Sequence, residues 1–107
     1  MVETIAKRDV IFKPGDIVTH YKRELLDRET LIKRPFKHVY RVIGKGLSTE
    51  TGAAVMIYEP LDPEDKAEFG FFTRPYKEFI FDMVDKEQYL NVQQEYKIEH
   101  IKTGAPL

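Results

Sequence analysis

Hydrophobic and polar positions alternate most clearly between His38 and Leu61. Two apolar stretches, residues 39–44 and 53–58, flank a turn built around Glu50, Thr51 and Gly52. That pattern predicts a β-hairpin. Upstream, Pro14-Gly15 marks a turn. Beyond it Ile17, Thr19 and Tyr21 alternate with Val18 and His20, which predicts a first strand over residues 16–22. The hairpin strands are expected at 39–45 and 54–59. A Phe-rich strand is expected at 68–73, another at 79–84, a closing edge strand at 97–101 and a short strand at 10–12. Adjacent apolar pairs such as Val42-Ile43 cover both sheet faces in part, as a small closed or strongly curved sheet requires. Gly44 and Gly46 inside a strand pattern mark a bulge or tight bend.

Helical signals are short. Asp27 caps a helix over residues 28–34 that Pro35 ends; an extended excursion is the competing reading of that insertion. Residues 60–66 read as an acidic loop, and Arg74-Pro75 breaks the Phe-rich strand. Residues 76–79 then make a single tight turn. Tyr89, Val92 and Tyr96 recur near helical spacing, which predicts a short helical segment after Asp85. The expected organisation is a leader at 1–13, one domain at 14–101 and a frayed tail at 102–107.

Composition narrows the class. With 107 residues the chain suits one domain and one core. At 42% hydrophobic and 33% charged it has enough apolar surface to fold and a charged exterior. Seven Phe and six Tyr, with no Trp, make aromatic rings the bulky core material. Without cysteine there is no disulfide, thiolate metal site or Cys nucleophile. No apolar run spans a bilayer, and the first residues lack the apolar core of a signal peptide; a cytoplasmic protein is the expectation. Net charge is −1, against the basic balance of a general nucleic-acid binder. The charge is uneven, however. Lys22, Arg23, Arg28, Lys33, Arg34 and Lys37 enrich the insertion in base, whereas Glu59, Asp62, Glu64, Asp65 and Glu68 form an acidic stretch. The two either polarise the surface or serve as solvated loops.

The ordered pieces PGDIVTHYK, YRVIG, TETG, VMIYEPL and FFTRPYKEF resemble the small bacterial family called domain of unknown function 1653. The resemblance covers about residues 14–101, interrupted by 23–37. Val18 and His20, Tyr40, Val42, Ile43 and Gly44, Glu50 and Thr51, Tyr58 and Leu61, Arg74 and Pro75, and Phe79 carry it. Two positions depart from the family pattern: Ser48 stands where a second His is usual, and Glu78 where Met is frequent. The resemblance implies an SH3-like barrel and no established activity.

His20, His38 and His100 lack the local spacing of a metal site, and no metal or other cofactor is expected. His20 is either a pocket residue with one donor and one acceptor or a strand residue bonding a backbone carbonyl. Arg74 offers a planar fork of donors for a carboxylate or phosphate, or pairs internally with Glu50 at the barrel rim. No base stands beside Ser48, Thr49 or Thr51, GKG at 44–46 is too short for a phosphate loop, and Asp62 and Asp65 carry no sign of burial. The fold expected is mainly β, a small SH3-like barrel with one or two short helical insertions. The function expected is a non-enzymatic binding module for a peptide, a protein or a small polar ligand, at His20, Tyr58, Arg74 and Glu50. The alternatives are an enzyme or accessory of nucleotide or RNA metabolism, or weak RNA binding through the basic insertion. A homodimer through the edge strand at 97–101 is a further possibility.

Overall fold

The computed structural model describes residues 11–101, and its central feature is the long predicted hairpin. Strand β2 (Val39–Leu47) pairs antiparallel with β3 (Ala54–Pro60), and the register shifts between Val42 and Gly44, where the glycine pattern called for a bulge. Gly52, at φ 74°, closes the connecting turn; its N–H donates to Ser48 O. β1 (Ile17–His20) adds beside β2, β4 (Phe72–Pro75) beside β3 and β5 (Ile98–His100) beside β1, all antiparallel. The order is β4-β3-β2-β1-β5. The mainly β class with short helices therefore holds. The sheet is not closed: among the described residues β4 and β5 remain edges. Pro75, paired with Val55 on the β4 edge, occupies the kind of strand position that proline tolerates.

The register puts Val18, Tyr40, Val42, Met56, Tyr58, Phe72 and Ile98 on one face. Against this face packs α3 (Tyr76–Phe81) through Phe79 and Ile80, joined by Phe12. The Phe79 ring lies 5.1 Å from those of Phe12 and Tyr58. A smaller cluster of Tyr21, Val84 and Val92, with Tyr89 against it, sits under the C-terminal loop.

Local structure departs from the predicted elements in several places. The strand expected at 16–22 ends at His20, and a 3-10 helix follows (Tyr21–Leu25). The helix expected at 28–34 forms as α1 (Arg28–Lys33); the Asp27 side chain accepts from Thr30 N–H at its N-cap. The acidic loop at 60–66 is instead largely helix: Asp62 caps α2 (Pro63–Phe69), with Pro63 in the first turn. Gly70, at φ 78°, ends it, so β4 starts at Phe72 rather than at 68. The turn at 76–79 and the start of the strand at 79–84 merge into α3. Tyr76, Phe79 and Ile80 share one helical face, and burial of Phe79 and Ile80 against the sheet favours that period over an alternating one. Only the isolated bridge Met83–Tyr96 remains of the expected strand.

The helical segment after Asp85 is not present; the chain runs in turns. Side-chain carboxylates occupy N–H groups that a continuing helix would bond internally: Glu24 accepts from Gln93 and Gln94, and Glu99 from Glu95 and Tyr96, while Asp85 caps only the turn at its own end through Glu87 and Gln88. The Gln94 amide donates to the carbonyls of Thr19, Tyr96 and Lys97, which ties this loop to β1. The edge strand at 97–101 appears as β5. Ile11 and Phe12 lie in no strand; Val10, the rest of the leader and the tail from 102 lie outside the described residues.

Candidate functional site

His20 is the last residue of β1 and Arg74 the third of β4. The ladder puts both on the core-facing side of the sheet, with Tyr40 and Tyr58. Across that face the Arg74 charge acts on His20, on Tyr21 and on Tyr40. His38 completes the group. Its ring centroid lies 5.8 Å from that of His20, and its Nδ1 is 3.5 Å from the Tyr40 hydroxyl. Beneath them Tyr40, Tyr58 and Phe72 pack edge-on or tilted at 5.3–6.0 Å. Tyr58 is buried, whereas His20, His38, Tyr40 and Arg74 are half-buried and keep contact with solvent. Three of the four residues singled out from sequence thus share one face, with Tyr58 as the floor. Glu50 does not join them. It is exposed in the β2–β3 turn and forms no ion pair with Arg74.

The electrostatics of the group are one-sided. Burial, and then the Arg74 charge, lower the His20 pKa to about 3. Burial, and then Lys37, lower that of His38 to about 4. Burial, then Tyr58, push the Tyr40 phenol up to about 12. All three are neutral at pH 7. His20 Nδ1 accepts from Lys22 N–H at 3.2 Å. The neutral ring therefore carries its proton on Nε2 and offers it as a donor. The Arg74 guanidinium makes no hydrogen bond or ion pair among the described residues. The half-buried guanidinium thus has solvent but no carboxylate as its partner among the described residues, and the desolvated part of its charge is uncompensated.

His38 adopts φ 64°, the left-handed region that residues other than glycine enter at a cost. It is positioned by neighbours on both sides: Lys37 N–H donates to Arg34 O, and Val39 N–H to Phe36 O. Beside it lies an ionic clasp between the insertion and α2. Arg34 binds Asp62 through Nε at 3.2 Å and through Nη2, and Asp65 at 3.2 Å. Lys37 Nζ binds Asp65 at 2.9 Å. Of the basic insertion and the acidic stretch, read as polarised patches or solvated loops, Arg34 and Lys37 pair with Asp62, Glu64 and Asp65. Asp62 is 1% exposed, which its neighbours in sequence gave no reason to expect.

His38 and Tyr40 were the members of the group that sequence reasoning left out. The signal available was parity: both precede Val42 by even steps, on the face that carries Tyr58. Elsewhere, a groove of about 640 Å³ runs between the hairpin and α3, lined by Ala53, Ala54, Pro75, Tyr76, Ile80 and Phe81 and rimmed by Lys45 and Lys77. Among the described residues no group of three His, Asp or Glu side chains is arranged to hold a metal ion, and no helix is long and apolar enough to cross a membrane.

Residues 16–90 match the family model described as protein of unknown function (DUF1653). The match spans most of the chain, and the protein belongs to that family. No curated protein and no solved structure matches it significantly.

Proposed function

We propose that this DUF1653 member is a non-enzymatic binding module that holds a small polar ligand on the core-facing side of its sheet, at His20, His38, Tyr40 and Arg74 over Tyr58. The observation that carries this reading is Arg74: a half-buried cation with no partner among the described residues, facing neutral donors. Desolvating a guanidinium has a free-energy cost, and a ligand that completes its hydrogen bonds offsets that cost.

Binding suits the group better than catalysis. A general acid or base works best with a pKa near the operating pH, and burial holds both histidines at about 3 and about 4. His20 Nδ1 is moreover occupied by Lys22 N–H. RNA binding through the insertion is disfavoured because Arg34 and Lys37 already serve Asp62 and Asp65, so phosphates would have to displace built-in partners.

The test is a nuclear magnetic resonance screen of small polar fragments against the full chain. Hits are expected to move the His20, His38 and Tyr40 ring signals and the Arg74 side-chain signal, and to be lost in Arg74→Ala. Hits confined to the groove beside Tyr76 and Phe81 would refute the reading and favour an apolar peptide ligand there.

A further inference from the structure

Resting on that reading, we infer that the ligand group seated at Arg74 is an oxyanion, a carboxylate or a phosphate, received by the guanidinium together with the His20 Nε2–H and the Tyr40 hydroxyl.

Each donor follows from a named contact. The Lys22 N–H on His20 Nδ1 leaves Nε2 as the protonated nitrogen of the neutral ring. The Tyr40 hydroxyl meets His38 Nδ1 only at 3.5 Å, at the limit of a hydrogen bond, so its hydrogen is free to turn to a better acceptor. Arg74 supplies a fork that matches two oxygens at once. None of the three is a strong acceptor in these states, so a cationic ligand would find nothing to bind, and a neutral one would leave the guanidinium uncompensated.

The surrounding charges have the same sense. Around His20 stand the cations Arg74 on β4, Lys22 on the 3-10 helix and Lys97 before β5, beside the neutral His38 ring before β2. Around His38 stand Lys37, Lys22 and Arg23, with Asp65 of α2 as the one opposing acid. Around Tyr40 the acids are Asp65 and Asp62. Both carboxylates are bound by the clasp, Asp62 by Arg34 and Asp65 by Arg34 and Lys37. With Lys37 and Arg34 set against Asp65 and Asp62, the charges left over around the group are Arg74, Lys22, Lys97 and Arg23, so the local field remains positive, the condition under which an anion is drawn in.

Binding and protonation are linked in this arrangement. An anion beside Arg74 cancels the charge that opposes protonation of the imidazoles. It raises the His20 and His38 midpoints, and by reciprocity the affinity of an anion that stays ionised there rises as the pH falls through them.

The experiment follows the histidine ring signals of the full chain by nuclear magnetic resonance at constant ionic strength. It uses three probes: acetate, inorganic phosphate and neutral acetamide. Saturable shifts at His20 and Arg74 with acetate or phosphate, and none with acetamide, are expected; the tighter of the two anions identifies the class. Arg74→Gln is expected to weaken the response at least about tenfold, as loss of a charged hydrogen-bonding partner does. Arg74→Lys, which keeps the charge without the fork, should fall between. Should the Gln variant not fold, the wild-type midpoints decide: they must rise with saturating phosphate, which keeps a negative charge through that pH range whereas acetate is protonated there. Acetamide acting where neither anion does would overturn the oxyanion inference and leave the binding module standing. Unmoved midpoints, or anion shifts scattered over exposed lysines, would overturn the inference as well.

Discussion

Replacing Asp62 by Ala is the sharpest test of how the site is held. The carboxylate is 1% exposed and serves two elements at once. It accepts from Asp65 N–H at 3.0 Å as the N-cap of α2, and it binds Arg34 through two nitrogens. Loss of a cap costs about 1 kcal/mol. Hydrogen bonds to a charged group contribute about 1.5–3 kcal/mol. Arg34 is 27% exposed and keeps Asp65 and Glu64, so water and those acids recover part of the second amount. The expected loss is about 3 kcal/mol, a large share of the margin of a small domain. Urea unfolding followed by circular dichroism measures it. Asp62→Asn, which retains a capping oxygen, should lose only the ionic part. The pH dependence gives an independent check. Arg34 holds the Asp62 carboxyl below its ordinary value of 3.8, so its contribution is complete above that value and is lost as the pH falls through the lower folded value. The gap between wild type and variant must therefore narrow in strong acid. A loss under about 1 kcal/mol at pH 7, or a gap that persists in acid, would refute the account of the clasp.

Three further outcomes are expected. His20 and His38 are bases whose folded pKa lies at about 3 and about 4, below the unfolded 6.5; between those values the unfolded chain takes up protons that the native state refuses, so stability falls as the pH drops from 6.5 toward 3. Urea midpoints from pH 7 to 4 should show that slope, flattened in His20→Gln and His38→Gln. Phe79→Ala removes the ring that bridges Phe12 and Tyr58 and should cost about 3–5 kcal/mol; a melting temperature within a few degrees of wild type would place the core elsewhere. Glu50→Ala alters an exposed turn residue and should change stability by less than about 0.5 kcal/mol, leaving the Arg74 response intact; a weakened anion titration in that variant would return Glu50 to the site.

Much of the sheet was legible because its cues are local. The alternation around Val42 and Tyr58, the turn at Gly52, the bulge at Gly44 and the Asp27 cap each depend on a few neighbouring residues. The α2 helix was missed although Asp62-Pro63 is a strong start signal, because the helix buries none of its residues and so carries no apolar period. The α3 helix was misread because Phe79, Ile80 and Phe81 suit either period until a sheet face is present for two of them to cover. The loop at 85–96 went the other way: carboxylates at Glu24 and Glu99, distant or downstream in sequence, removed the N–H groups that its apparent helical spacing would have used.

The amino-acid order by itself therefore determined the chemical inventory: aromatic core material, no thiol, three histidines and the Arg74-Pro75 corner on a mainly β framework. Tertiary structure alone decided which of these meet. Side-chain parity can assign His20 and Arg74 to one face, but only the folded sheet brings the Arg74 charge to bear on the His20 ring, and only packing determines how much water each loses. Burial and Coulomb interaction depend on distance through space, and that distance is what turns scattered polar residues into an unmatched cation among neutral donors.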